Sequence, residues 1–218
     1  PPKMSPLGFM SAGIGTTRHD YHQQGVVAFV ASEQPHRDTC WQRFLTTGPV
    51  ALLPFNDDGD AELRGRLGSI VWTLPDADAQ RLRDAEPVQF EAALAAAFGG
   101  ELGGFRLQSA RAAFPLQRQL AATHLAGRVL LLGDAAHVVH PLAGHGMNLG
   151  FGDVQELVKA VAEREEHRSI GDERVLARYA RARKEEVSLM LATTDGLERL
   201  FGTDLEPVRA VRNFGLNL

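Results

Sequence analysis

The sequence predicts a mixed α/β (α+β) fold: an antiparallel sheet with its helices, then a strand-turn-helix unit, then carboxyl-terminal helices. Three observations carry this. Between residues 25 and 73 four runs rich in Val, Phe, Leu and Trp alternate with turn residues. Between residues 129 and 152 a short apolar run ends at Gly133-Asp134 and passes through a glycine-rich turn into a helical pattern. From residue 172 onward, charges of both signs recur among apolar residues at helical spacing.

In chain order, residues 1–11 hold Pro, Gly and Met without periodicity and read as a loose leader, with 1–24 as leader and connector. Strands are expected over 26–31, over 39–45 with Trp41 and Phe44 in the core, over 50–55 after Thr47-Gly48-Pro49, and over 69–73 after the polar turn 56–59. Four such runs read as a simple antiparallel meander. Asp76 is placed to N-cap a helix over 77–84, and Pro87 to open a second helix that ends at Phe98 before Gly99-Gly100. Extended character resumes over 105–116. The domains are then 25–116, 117–166 and 167–218, the last with surface helices over 172–190 and 198–211 and a solvated charged face over 178–186.

The stretch from Val129 to Leu132 reads as a strand buried on both faces, of the parallel-sheet kind, that delivers Asp134 at its carboxyl end. Open α/β sheets bind ligands there. The following helix begins near Gly146 with an apolar stripe of Met147, Phe151, Val154, Val158 and Val161. Its first N–H groups lack partners and carry the positive end of the macrodipole, a ready anion site. Glycines at 144, 146, 150 and 152 each cost roughly 1 kcal/mol when interior, so something must approach that backbone closely. Close helix packing is the bland alternative for the glycines, and a plain cap is the bland alternative for Asp134. His137, His140 and His145 are not read as metal ligands, because no Cys and no carboxylate other than Asp134 accompanies them.

A net charge of −4 and a pI near 6.1 give no electrostatic reason to expect nucleic acid as a partner. The single cysteine, Cys40, excludes an intrachain disulfide and a Cys-rich zinc site, and points to a reducing, cytoplasmic setting. No apolar stretch approaches the ~20 residues of a membrane span, and no signal peptide is visible.

Gly133-Asp134-Ala135-Ala136-His137, then Pro141, then Gly144-His145-Gly146-Met147-Asn148-Leu149-Gly150 and Asp153-Val154 together resemble one family's motif. The string is similar to the second FAD-binding motif of flavin-dependent aromatic hydroxylases related to para-hydroxybenzoate hydroxylase, and most of all to the hydroxylases of ubiquinone biosynthesis. His145 departs from the pattern, where those enzymes usually carry Gln. The resemblance implies that 25–116 is a substrate-binding sheet domain and 117–166 the carboxyl-side part of a Rossmann-like FAD-binding domain. It implies FAD as cofactor, NAD(P)H as co-substrate, and hydroxylation of a polyprenylated phenol or benzoquinol through a flavin C4a-hydroperoxide.

Roles follow by the same resemblance. Gly133, Asp134, Pro141, Gly144, Gly146, Met147 and Asn148 are the cofactor-binding residues: Asp134 accepts a hydrogen bond from the ribitol chain, and the N–H groups of Gly146, Met147 and Asn148 face the flavin N1–C2=O edge. Pro141 and Leu142 would lie beside the ring, with Phe114, Leu116 and His140 as further substrate-side candidates. No side chain is assigned as catalytic, since the flavin carries the chemistry.

The family's amino-terminal Gly-x-Gly-x-x-Gly turn and its middle Asp-Gly motif do not occur, so the chain reads as the carboxyl-side half of a hydroxylase. Such a fragment is expected to hold FAD weakly, to be inactive alone, and to dimerise through the edge strand 129–132 as a homo-oligomer, with peripheral membrane or biosynthetic-complex association as a separate expectation. An FAD-dependent reductase or other flavoenzyme of the same fold, and a non-enzymatic fragment, stand as alternatives.

Overall fold

The computed structural model describes residues 13–56, 61–140 and 146–201. In chain order the elements are β1 (Thr16–Ser32), β2 (Trp41–Leu45), β3 (Gly48–Pro54), β4 (Leu67–Pro75), α1 (Asp76–Asp84), α2 (Pro87–Ala97), β5 (Phe105–Leu107) and β6 (Ala112–Ala121). They continue with β7 (Leu125–Ala126), β8 (Val129–Leu130), a 3-10 turn Gly133–Ala135, β9 (His137–Val138), α3 (Gly146–Ala162) and α4 (Glu173–Phe201). The class is the mixed α/β one expected. Two compact units emerge, one built on His22–Leu116 and the other on the described parts of Pro1–Tyr21 and Gln117–Leu197.

In the first unit the strands run β2-β3-β4-β1, with β5 also paired to β1, all antiparallel. Because side chains alternate along a strand, the register Val26↔Trp72↔Val50 and Ala28↔Ile70↔Leu52 gathers these residues on one face. That face is covered by Ala79 and Leu82 of α1 and by Phe90, Leu94 and Ala97 of α2, which complete the core. Gly48, at φ 129°, turns the chain between β2 and β3, where a Cβ would sit 2.5 Å from the Thr73 carbonyl oxygen. Helix α2 opens on Pro87 and stops before Gly99 and Gly100, both at positive φ, as the sequence predicts.

The simple meander does not form. β1 pairs with β4 rather than β2, because its buried residues Val26, Ala28 and Val30 complete the apolar face that β3 and β4 present. The link from β1 to β2 makes room for this with Arg37 and Asp38 at φ 56° and 51°. Asp76 is not an N-cap: Pro75 holds that position, and Asp76 instead accepts a hydrogen bond from Gln24 Nε2 at 3.0 Å. The extended stretch 105–116 divides into β5 and the start of β6. Trp41 packs half-buried against the core as expected, whereas Phe44 is exposed, since it points to the uncovered face of an end strand.

In the second unit the amino-terminal part of β1 lies beside β6, with the Ala122 N–H donating to the Gly15 carbonyl at 2.8 Å, and β6 pairs antiparallel with β9. The strand expected over 129–132 is shorter and differently paired. Val129–Leu130 forms an antiparallel hairpin with β7 across Gly127, at φ 57°, and Val129 is 46% exposed. A strand is buried on both faces only when others flank it, and among the described residues β7 alone pairs with β8.

Helix α3 does start at Gly146, but its apolar stripe does not enter this unit's core: Met147, Phe151, Val154 and Val158 are 51–73% exposed. Its buried face is Leu149, Asp153 and Ala160. The carboxyl-terminal helices differ from expectation as well. α4 is one helix where two were expected, and it buries Val175, Leu176, Tyr179, Arg183, Val187 and Leu191 rather than lying on the surface. Steps of three and four between those residues explain the single continuous face. The predicted leader over 1–11 and the stretch 202–211 of the second predicted helix lie outside the described residues.

Candidate flavin-binding site

Gly133, shortly after β8, holds φ 54°, a conformation that a side chain resists, and among the described residues no Cβ there would meet a neighbour within 4 Å. The need is for the angle, not the space. A single 3-10 turn follows, closed by Ala135 N–H to the Leu132 carbonyl at 3.2 Å and Ala136 N–H to the Gly133 carbonyl at 2.8 Å. Asp134 is thereby left exposed at its tip.

The turn is tied down from below by Asp153 of α3. Asp153 Oδ2 accepts the Gly133 N–H at 2.6 Å and His137 Nε2 at 2.9 Å, while Oδ1 accepts Arg183 Nε of α4 at 2.6 Å. An ionised carboxylate only accepts, so the proton of this His137–Asp153 bond lies on Nε2. Arg183 also donates through Nη2 to the Leu149 carbonyl at 3.2 Å and through Nη1 to Glu186. Tyr179 donates to the Leu131 carbonyl at 3.0 Å, just before the turn. Burial alone would push the Asp153 carboxyl up; the bonds from His137 and Gly133, the charge of His137 and the Arg183 bond outweigh it and hold the group below the ordinary carboxylate value. Burial pushes the Tyr179 hydroxyl up, so it stays a donor.

These contacts account for Gly152, while Gly150 is where the turn reaches ordinary contact distance of the helix. A Cβ on Gly150 would lie 3.6 Å from Gly133 Cα, and one on Gly152 would lie 3.1 Å from Arg183 Nη1. What approaches that helix closely is the turn and a guanidinium of the same chain. Gly146 differs, since a Cβ there meets nothing within 4 Å among the described residues.

Of the residues singled out in the sequence, Gly133 and Asp134 stand on the turn and Gly146, Met147 and Asn148 form the first turn of α3, brought together by the Gly133–Gly150 approach. Met147 and Asn148 are exposed. Pro141, Leu142, Gly144 and His145 lie outside the described residues. Phe114 is exposed on β6 and Leu116 is buried near Gly25, both in the other unit. His140 is buried, edge-on to Tyr21 with ring centroids 4.7 Å apart. Among the described residues no group of His, Cys, Asp and Glu could hold a metal, and no helix is long and apolar enough to cross a membrane. Asp153, His137, Tyr179 and Arg183 were not singled out as a site. The one local signal was Asp153 itself, a carboxylate inside an otherwise apolar and glycine-rich helix start.

His140 makes the unit pH-sensitive. Burial lowers its pKa to about 4, with Asp195 pulling weakly upward, so the folded state holds it neutral while the unfolded chain protonates near 6.5. Its contribution is full above pH ~6.5 and is lost as pH falls toward 4, in the direction set by proton linkage. Between pH 7 and 4.5 the parent should lose roughly 2–3 kcal/mol more stability than His140→Phe, as read from urea unfolding at both pH values. Parallel pH slopes for the two proteins would contradict this.

A family model described as FAD binding domain matches residues 12–194. The chain belongs to that family, as the string over residues 133–154 led us to expect. It is 37% identical over 207 residues to the ubiquinone hydroxylase UbiL of Rhodospirillum rubrum, covering 94% of this chain and 46% of that protein. To the 3-demethoxyubiquinol 3-hydroxylase of Escherichia coli it is 34% identical over 209 residues, covering 94% and 50%. The chain thus spans about half the length of the curated relatives it matches. Among solved structures it resembles PqsL, a probable FAD-dependent monooxygenase from Pseudomonas aeruginosa, with a TM-score of 0.71 at 21% identity over 96% of this chain and 57% of that one. That last likeness speaks for the fold alone.

Proposed function

We propose that this chain belongs to an FAD-dependent aromatic monooxygenase that hydroxylates a polyprenylated phenol or benzoquinol in ubiquinone biosynthesis, with NAD(P)H and oxygen as co-substrates. The observation that carries this is the exposed Asp134 carboxylate, held on a fixed turn beside the amino end of α3 in a member of the FAD-binding family. Relatives named as ubiquinone hydroxylases support the choice of substrate class.

The residues present fit such a cofactor. Asp134 offers an ionised acceptor to a ribitol hydroxyl, and bonds to an ionised group are the stronger kind. The N–H groups of Gly146, Met147 and Asn148 stand in the first turn among the described residues, at the positive end of the dipole, suited to an electron-rich ring edge. Gly146 leaves room for close approach, which a Cβ would fill. When bound, FAD supplies the redox and oxygen chemistry. Gly133 and Gly144 shape the motif, and Pro141 and Leu142 are assigned to the ring's substrate side. Phe114, Leu116 and His140 remain the other substrate-side candidates. A lipid-tailed substrate also suits peripheral association with a membrane or a biosynthetic complex.

In the full-length enzyme Asp134→Ala should weaken FAD binding by about 1.5–3 kcal/mol, roughly tenfold to 150-fold in Kd. Fluorescence titration of the apoenzyme measures it. Equal affinities in mutant and parent would remove Asp134 from the site and with it this reading.

A further inference from the structure

Asp153, Arg183 and His137 form a buried charged cluster to which the proposed chemistry gives no role. The Asp153 and Arg183 side chains are 0% exposed and that of His137 is 1% exposed. A pair like Asp153–Arg183 is a weak source of stability compared with apolar packing, but a network whose members are all satisfied is strict about geometry. What matters is where its bonds end. The Gly133 N–H belongs to the turn that carries Asp134. The Leu149 carbonyl, which Arg183 holds, belongs to the residue directly after Asn148. His137 starts β9 on the far side of the turn, and the Tyr179 hydroxyl holds Leu131 on its near side.

Within itself the turn has two 3-10 hydrogen bonds around a glycine in the left-handed region, a weak element by itself. The helix is cut away at Gly152, where a Cβ would lie 3.1 Å from the Arg183 guanidinium. Asp153 thus bonds the turn from α3 while being bonded in turn by α4.

We infer that Asp153 is a positioning residue for flavin: its carboxylate, locked between Arg183 and His137, fixes the Gly133 N–H and so sets Asp134 in register with the first turn of α3. This rests on the reading of Asp134 as a flavin ligand. Asp153 touches no cofactor and acts only through the turn.

The test uses the full-length enzyme, stripped of flavin and refolded, with FAD affinity measured on the folded apoenzyme well below its melting temperature. Asp153→Asn keeps the shape and removes the charge, and Arg183→Lys keeps the charge and removes the fork; the second serves if the first does not fold. Val187→Ala, a buried position of the neighbouring apolar cluster on α4, is the control for loss of stability without loss of registration. Positioning predicts that the folded Asp153→Asn or Arg183→Lys apoenzyme binds FAD on the order of tenfold more weakly, as lost supporting partners weaken other preorganised sites. Val187→Ala should lower the melting temperature while its FAD Kd stays within about twofold of the parent's. If the cluster variants keep the parental Kd while Asp134→Ala loses affinity, the inference falls and the flavin reading stands. If Asp134→Ala also keeps the parental Kd, the flavin reading itself falls.

Discussion

Arg183→Ala is expected to lower the unfolding free energy by roughly 3–5 kcal/mol, because it strands a buried carboxylate rather than merely deleting a contact. Asp153 is 0% exposed and would keep only the Gly133 N–H and His137 as partners, while the Leu149 carbonyl would lose its bond from Nη2. The same substitution on the surface should do little: Arg81 pairs with Asp78 at 3.0 Å on exposed α1, and Arg81→Ala should cost no more than ~1 kcal/mol. Urea denaturation of the two variants beside the parent reads both numbers. A cost below about 1 kcal/mol for Arg183→Ala would mean that water reaches Asp153 once the guanidinium is gone, and that the cluster is not the sealed unit described above.

Phe90→Ala should cost about 3–5 kcal/mol in the other unit, by the loss of buried apolar surface and by the cavity left behind. Phe90 is 0% exposed on α2, its ring 6.5 Å from that of Trp72 and capped by the Arg111 guanidinium at 5.1 Å. Arg111 is itself anchored to the Leu82 carbonyl at 2.8 Å and the Ala85 carbonyl at 2.5 Å, so it cannot follow a shrinking core without giving up carbonyls at the end of α1. That anchoring keeps the cavity open. Val88→Ala, two residues away and 69% exposed, should stay within about 0.5 kcal/mol of the parent. The comparison is made by denaturant unfolding at neutral pH, and a loss below about 1.5 kcal/mol for Phe90→Ala would show that the sheet collapses onto the space.

Elements with a local cause were legible in the chain itself. The strands of the first unit were marked by β-rich runs between turn residues, α2 by Pro87 at one end and Gly99-Gly100 at the other, and the start of α3 by the return of helical spacing after the glycine-rich turn. The family, too, was legible in a dozen ordered positions over residues 133–154, because the chemistry of that turn is written in consecutive residues. Each of these signals acts within a few residues of itself.

Only the tertiary structure decided what those elements face. Nothing local distinguishes Arg183 from Arg178 or Lys184 in the charged run 178–186; it is buried because Asp153, thirty residues earlier, arrives beside it. Gly152 stood among glycines read as the close approach of something to the helix, and what approaches it is that guanidinium, since a missing Cβ does not say what fills its place. The apolar stripe of α3 was correct as a pattern, yet Met147, Phe151, Val154 and Val158 lie on the exposed side. Periodicity tells which residues share a face of a helix. Which face turns inward depends on partners that come from far along the chain, and here the face that meets α4 is the one carrying Asp153.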